Sequence, residues 1–571
     1  MEHQFLLIAG AGLAIMIVAS VSSRRTGVAA PLLLVALGIG ASYLPGAPTV
    51  HLEPEFVLAG VLPPLLYSAA VNLPVIDFRR NLRLIGWLSV VMVIASAVVI
   101  GAVVHLIFPS ISFPLGVALG AVVAPTDAVA ATAIGRRVGL PPRLMTVLEG
   151  ESLVNDASAL VVLRTALAAL AATGDFSLGR TVLEFGWAVL GAVAIGGAVG
   201  LLTVLLRQRL DDPVLNATIS LATPFLAYFP AEELDVSGVL AVVVAGLLSG
   251  AMGGRRFSAR DRQTQTITWS TISFILESAV FLAMGYQLPE LLNSAGAETT
   301  AAEITALVGV VVALLVALRF LGLAWPALSS RYGKGNRGER RRSRLDQFEE
   351  RVESLDSADD RDEAQLAWAR RRLARGKADL AFEEREPITA KGTLALAWAG
   401  MRGVVTVAAA QTIPVGTPHR ATVVLAAFLV ALITLGLFGL TLPAVISRLD
   451  FRTVSAEERR NSFRALLRQI GEHAIDELGP LEEQTVDGEP VDPALAEALR
   501  ETILPRLLTD VREVRRPRHD ALEQSRILQR RYLDALREAL ADERRIGAYR
   551  SDTYKRVEAL LDAHEQRIVR E

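Results

Sequence analysis

Residues 124–127 read Ala-Pro-Thr-Asp, and residues 150–156 read Gly-Glu-Ser-Leu-Val-Asn-Asp. Both stretches lie inside long apolar runs, which places Asp127, Glu149, Glu151 and Asp156 in two neighbouring candidate membrane spans. Charge at the bilayer centre costs several kcal/mol, and the carboxylates found there mark ion paths or proton relays. A chain that keeps four of them so close together is expected to move ions.

Working outward, the rest of the sequence supports a membrane setting. The 571 residues are 52% hydrophobic and 21% charged, with a mean hydropathy of +0.40. The apolar residues gather in blocks of about 20, the length that crosses roughly 30 Å of hydrocarbon. Thirteen spans are predicted, over 4–22, 27–46, 52–74, 84–108, 112–134, 144–171, 180–206, 214–230, 235–253, 266–290, 301–328, 391–414 and 420–449. The first has Glu2 and His3 before it and Arg24 and Arg25 after it, so it reads as a retained span rather than a cleaved leader. Basic residues mark cytoplasmic loops. Alternate loops here carry them (SSRRT, DFRRNLR, GRRVGLPPR, RQRLDD, GGRRFSARDRQ, RYGKGNRGERRR), and the intervening loops are nearly free of them. That alternation puts the amino terminus outside and the carboxyl terminus in the cytoplasm of a multi-pass plasma-membrane protein.

Charge is concentrated outside the spans, so the net charge of −2 averages two different materials. The division expected is a transmembrane domain over 1–450, interrupted by a charged cytoplasmic insertion at 331–386, and a helical cytoplasmic domain over 451–571. The insertion reads as a solvated, partly helical loop whose Arg337–Arg344 run suits anionic lipid. In the tail, Ser455 and Glu458 fit a capping box, and Asp492-Pro493 fits an N-cap followed by proline. Leu528, Tyr532, Leu536 and Leu540, with Leu533 beside them, recur at helical spacing and predict packing within a small domain or across a dimer.

The chemistry of the opening stretches follows from helix geometry. Ser152 and Asp156 stand four apart and share a face; Glu151 and Asn155 share the adjacent one. A hydroxyl and a carboxylate on one face are hard oxygen ligands for a small monovalent cation. Pro125 lacks an N–H and disfavours helix at Ala124, so span five is expected to break near Thr126 and free carbonyls there. Span twelve carries a second interruption at Ala399-Gly-Met-Arg402-Gly-Val-Val-Thr406. If spans 1–6 and 8–13 are inverted repeats, the two breaks fall at corresponding places. Paired interrupted helices point to a transporter site at the midplane.

Pro125-Thr-Asp127, Gly150-Glu-Ser-Leu-Val-Asn-Asp156 and Gly400-Met-Arg402-Gly together resemble the monovalent cation/proton antiporters, closest to the bacterial and archaeal sodium/proton antiporters related to animal sodium/proton exchangers. The resemblance covers the thirteen spans and not 331–386 or 452–571. It implies an all-α fold of inverted six-helix repeats with two crossing broken helices, and alternating-access exchange of Na+ or K+ for H+. No cofactor is implied, and the partners are the transported ions, membrane lipid and a second copy of the chain in a homodimer. It also assigns roles. Asp156 binds a cation or a proton, Ser152 and the Thr126 backbone help to coordinate the cation, and Asn155 orients the site. Asp127 and Arg402 compensate the half-helix dipoles, and Glu151 pairs with Arg319 deep in span eleven. Relatives often carry an acid where this chain has Ser68, which leaves affinity and ion choice open between Na+, K+ and Li+. Glu277 in span ten lines a funnel or meets an arginine, and Glu149, near the cytoplasmic start of span six, fits a solvated funnel.

One titratable group in Asn155-Asp156, where electrogenic relatives carry two aspartates, favours one-for-one, electroneutral exchange. The alternative is a cation-selective channel, which needs neither paired breaks nor competition with protons. Enzyme classes find little support: cysteine is absent, the seven histidines are scattered, and no GxSxG, HExxH or P-loop motif occurs. Nothing in the chain points to nucleic acid.

Overall fold

The computed structural model describes residues 2–26, 28–45, 55–171, 178–356, 363–451, 455–479, 484–486, 489–491 and 519–570. They are helical almost throughout; the exception is a two-residue antiparallel pairing of Thr485–Val486 with Glu489–Pro490. Asp492-Pro493 lies outside the described residues.

The helices, in chain order, are α1 (Glu2–Thr26), α2 (Ala30–Ser42), α3 (Leu62–Asn72), α4 (Val75–Gly86), α5 (Met92–Ile107), α6 (Phe113–Val123), α7 (Ala128–Val138), α8 (Pro142–Ala171), α9 (Leu178–Arg207), α10 (Pro213–Glu233), α11 (Gly238–Arg256) and α12 (Ala259–Gly296). They continue with α13 (Ala301–Asp356), α14 (Glu363–Arg385), α15 (Ala390–Trp398), α16 (Val404–Gln411), α17 (Arg420–Leu449), α18 (Ala456–Leu478), α19 (His519–Ile546) and α20 (Ser551–Arg570). Wider π-helical turns at Phe56–Val61 and Trp87–Val91 lead into α3 and α5. Among the described residues, seven helices are long and apolar enough to cross a membrane: those in Val75–Ile107, Pro142–Ala171, Gly186–Arg207, Pro213–Glu233, Ala259–Gly296, Ala301–Ala324 and Arg420–Leu449. Ala30–Ser42, Phe56–Asn72, Phe113–Val123 and Gly238–Gly254 are shorter apolar helices.

Local chemistry sets the ends. Asp212 accepts a hydrogen bond from the Val214 N–H at 2.7 Å and Pro213 opens α10, an N-cap with proline at N1. Both bonds of the capping box at Ser455 and Glu458 are present. Pro125 follows the end of α6, and the chain resumes as α7 only at Ala128. The second interruption separates α15 from α16 between Trp398 and Val404.

The chain divides into two compact units. The first comprises Met1–Ala251, Gln265–Tyr332 and Ile388–Arg452. Its largest apolar cluster joins α5, α6 and α8 to α15, α16 and α17 through Ile100, Leu119, Val147, Leu396, Ala409 and Phe428. Another is built from α3, α8, α10, α11 and α12 around Tyr67, Leu153, Ala227, Val242 and Trp269. Helix α8 contributes to both clusters, Leu148 and Leu163 to one and Leu153 and Ala157 to the other. In lipid, close helix contact relies on small residues. A Cβ on Gly285 would strike the Val35 carbonyl, and one on Gly38 the Leu282 carbonyl, so α2 and α12 touch backbone to backbone.

The second unit comprises Met252–Thr264, Gly333–Pro387 and Thr453–Glu571. The insertion and the tail, separate pieces in the sequence reading, thus belong to one compact body that also takes in the junction between α11 and α12. Leu528, Tyr532, Leu533, Leu536 and Leu540 are all buried here, with Leu466, Ile470, Val557 and Leu561. Arg262 bonds Asp562, the Ala259 N–H reaches Glu565 at 3.2 Å, and Gln566 reaches Gln263 at 2.8 Å, so α20 grips residues 259–263. The insertion is more ordered than a solvated loop: α14 pairs with the end of α13 through Arg341–Glu383 at 2.7 Å, Arg342–Glu384 and Lys377–Glu349.

Candidate functional site

The two interruptions meet. The Asp127 N–H donates to the Met401 carbonyl at 2.7 Å, joining one break to the other. A Cβ at Gly403 would collide with the Asp127 carboxylate, so glycine is what lets this acid lie against the N-terminus of α16. Asp127 also directly precedes α7, and negative charge at helix N-termini is stabilising. Arg402 does the reverse. Its Nε donates to the Val123 carbonyl at the end of α6 at 2.8 Å, and its guanidinium reaches the Gly400 carbonyl just past α15. Arg402 is 4% exposed, so these freed carbonyls are met by a buried cation rather than by water. Its own N–H reaches Thr434 on α17 at 3.3 Å.

Helix α8 runs past this crossing. Glu151, 1% exposed, takes a two-pronged contact from Arg319, with Nη2 to Oε2 at 3.0 Å. Arg319 also donates to the Leu396 carbonyl on α15 at 3.1 Å, which ties α13, α8 and α15 together. The Thr126 hydroxyl bridges two residues of α8, donating to Glu151 Oε1 at 3.1 Å and accepting from Asn155 Nδ2 at 2.9 Å. The Thr126 side chain therefore does visible work here, where sequence reasoning named its backbone. Asn155 Oδ1 is buried and has no hydrogen-bond partner among the described residues.

Asp156 lies one residue beyond this scaffold and is 5% exposed. Among the described residues no hydrogen-bond donor and no basic side chain is paired with its carboxylate; the charge acting on it is that of Asp127, of the same sign. A buried carboxylate without a partner is costly and is neutralised by a proton or a bound cation. Ser152, one turn away on the same face, is partly exposed.

The remaining predicted residues separate. Glu149, partly exposed, pairs with the exposed Arg136 at 2.9 Å. Ser68 is buried in α3 and accepts from the Ser273 hydroxyl on α12 at 2.9 Å. Glu277 stands on α12 one turn from Ser273, and neither an arginine nor a hydrogen-bond donor is paired with it among the described residues. Sequence reasoning missed Ser273, though its i, i+4 spacing to Glu277 was a readable signal. It also missed the carbonyls of Val123 and Leu396, which no side-chain pattern reveals. The Ser89 hydroxyl, bonded to the Glu151 carbonyl at 3.0 Å, had no signal either.

Comparison with known proteins places most of the chain in one family. Residues 12–448 match the family described as sodium/hydrogen exchanger, transmembrane. The Na(+)/H(+) antiporter ApNhaP of Aphanothece halophytica is 29% identical over 461 residues, covering 81% of this chain and 77% of that protein. The sodium, potassium, lithium and rubidium/H(+) antiporter of Bacillus subtilis is 32% identical over 302 residues, 52% of this chain and 45% of that one. The structure of the sodium proton antiporter MjNhaP1 from Methanocaldococcus jannaschii aligns with a TM-score of 0.56 at 16% identity, over 79% of this chain and 99% of that chain, which shows a shared fold. The family match over residues 12–448 settles the affiliation: the chain belongs to the transmembrane sodium/hydrogen exchanger family.

Proposed function

We propose that this protein exchanges a monovalent cation for a proton across the membrane by alternating access, with Asp156 as the group that the two substrates share. The carrying observation is the Asp156 carboxylate, buried beside the crossing with no partner of its own among the described residues, while Glu151 and Arg319 hold each other and Arg402 holds the Val123 carbonyl. Exchange needs only competition at such a group. A proton on Asp156 expels the cation, a cation displaces the proton, and a bare buried charge is too costly to carry across. Opposite movement follows when only a loaded carboxylate crosses. Ser152, Asn155 Oδ1 and groups around Thr126 are the oxygens that would complete the cation's shell.

Glu151–Arg319 and the Asp127–Arg402 crossing act as scaffold, each charge held by a partner or a helix end. With one titratable group for one cation, the cycle is electroneutral. Sodium is the first candidate, and potassium stands beside it because a relative carries potassium, lithium and rubidium in its name. The arrangement we infer has thirteen spans in inverted six-helix repeats, an external amino terminus, a cytoplasmic carboxyl terminus and a homodimeric assembly in the plasma membrane. The named relatives are exchangers, which favours antiport over the channel alternative.

The test is a cation pulse on proteoliposomes loaded with a pH-sensitive dye. Sodium or potassium should move protons in stoichiometric amounts, at a rate unchanged by a valinomycin-imposed potential when sodium is the substrate. Cation flux without proton movement would establish a channel, and a potential-dependent rate would contradict electroneutral exchange.

A further inference from the structure

Helix α12 brings a carboxylate to the region of the crossing that the scheme above leaves unused. The Ser273 hydroxyl donates to Ser68 at 2.9 Å, which fixes the face that α12 turns towards α3. Glu277 is four residues further along and shares that face. Its neighbours Leu276 and Val280 pack against Val61, Leu65 and Ala408, the last on α16, so this face also looks towards the half-helix that starts at the crossing. The charge of Asp127 acts on Glu277 and on Asp156 alike, so both acids lie within electrostatic reach of one residue at the crossing. Glu151 has Arg319 and Glu149 has Arg136, whereas Glu277 is paired with no basic side chain among the described residues. An intramembrane acid left without a salt-bridge partner is one that ions can use.

We propose that Glu277, with the hydroxyls of Ser273 and Ser68, forms a second cation station on the path to Asp156. One carboxylate and two hydroxyls are hard oxygen donors suited to a partly hydrated monovalent cation. The station raises the local cation concentration next to the exchange site without taking part in the exchange. Its loss therefore weakens apparent affinity and spares the turnover that Asp156 supports. The inference rests on the reading of Asp156 as the shared site.

The experiment measures cation KM and kcat in proteoliposomes for wild type, Glu277→Gln, Glu277→Asp, Ser273→Ala, and Glu277→Gln combined with Ser68→Glu, with Asp156→Asn as control. Glu277→Gln should raise KM about five- to tenfold with kcat within about twofold, the size of one ordinary hydrogen-bonding contact. Glu277→Asp should recover most of the affinity, and Ser273→Ala should shift KM about twofold in the same direction. Ser68→Glu returns a carboxylate to the same place from the facing helix, so in the Glu277→Gln background it should bring KM back towards wild type. That rescue also answers the objection that Glu277→Gln merely misfolds, since a damaged fold is not repaired by a second charge change. An unchanged KM in Glu277→Gln, or a fall in kcat alone, overturns the station while leaving Asp156 in place. Retained exchange in Asp156→Asn overturns the underlying site instead.

Discussion

Replacing Arg319 with leucine should be among the most damaging single changes in the transmembrane unit. Glu151 is 1% exposed, and its remaining bond would be the Thr126 hydroxyl at 3.1 Å. Removing one partner of a buried pair leaves an uncompensated charge and costs about 3–5 kcal/mol. The Leu396 carbonyl loses its donor as well, which adds about 1 kcal/mol. Replacing both charges, Glu151→Leu with Arg319→Leu, removes the stranded carboxylate and should recover much of the loss, because buried pairs are often nearly neutral against apolar isosteres. The expected coupling in the double-mutant cycle is therefore about 2–4 kcal/mol. Unfolding of purified protein in mixed detergent micelles, followed by denaturant titration, reads all four corners. On the proposed scaffold role of the pair, the double variant should also keep measurable cation/proton exchange. Equal stability of single and double variants would refute the pairing, and a double variant that is stable yet inactive would give Glu151 or Arg319 a transport role.

Three further outcomes follow from the geometry. Gly403→Ala pushes a methyl group into the Asp127 carboxylate, so exchange should fall at least about tenfold while Gly436→Ala, whose Cβ meets open space, stays near wild type in the same flux assay. Gly285→Val forces α2 from α12 and should lower the melting temperature measured by tryptophan fluorescence, with Gly309→Val as the neutral comparison. In the tail, burial alone would raise the Glu565 carboxyl, but the hydrogen bond and charge of Arg537, with help from the Ala259 N–H and Arg262, outweigh it and hold the group below its ordinary value. A lowered carboxyl stabilises the fold above the unfolded value of about 4.3 and loses that contribution as pH falls through the folded value. Glu565→Gln should thus destabilise the full chain at pH 7, with the difference shrinking below about pH 4 in thermal melts.

How much of this was legible in the sequence depends on the range of the cause. Pro125 and the glycines around Arg402 act locally, so both interruptions were readable from their own neighbourhoods. The pairing of Glu151 with Arg319 was legible because two lone charges in apolar runs need one another, whatever the distance in sequence. The capping box at Ser455 and the helical spacing from Leu528 to Leu540 are local signals too, and both appear in the structure. What escaped depends on third parties. The Val123 and Leu396 carbonyls that receive Arg402 and Arg319 are backbone atoms, identical in every residue type. The joining of 252–264 and 333–387 to the tail rests on contacts such as Arg262–Asp562, three hundred residues apart, with nothing in either segment to announce the other. Glu149 was read apart from the other three acids, as part of a solvated funnel, and its partner Arg136 was not legible in the sequence.

The most direct measurement compares wild type with Asp156→Asn in proteoliposomes, each pulsed with sodium, potassium and lithium from pH 6 to 9 while lumenal pH is followed. Asparagine keeps the shape of the site and its oxygen but cannot release a proton, so the account predicts that cation-driven proton movement disappears for all three ions while protein yield and melting temperature hold. Proton movement that persists in Asp156→Asn would contradict the claim that this carboxylate is where the two substrates compete.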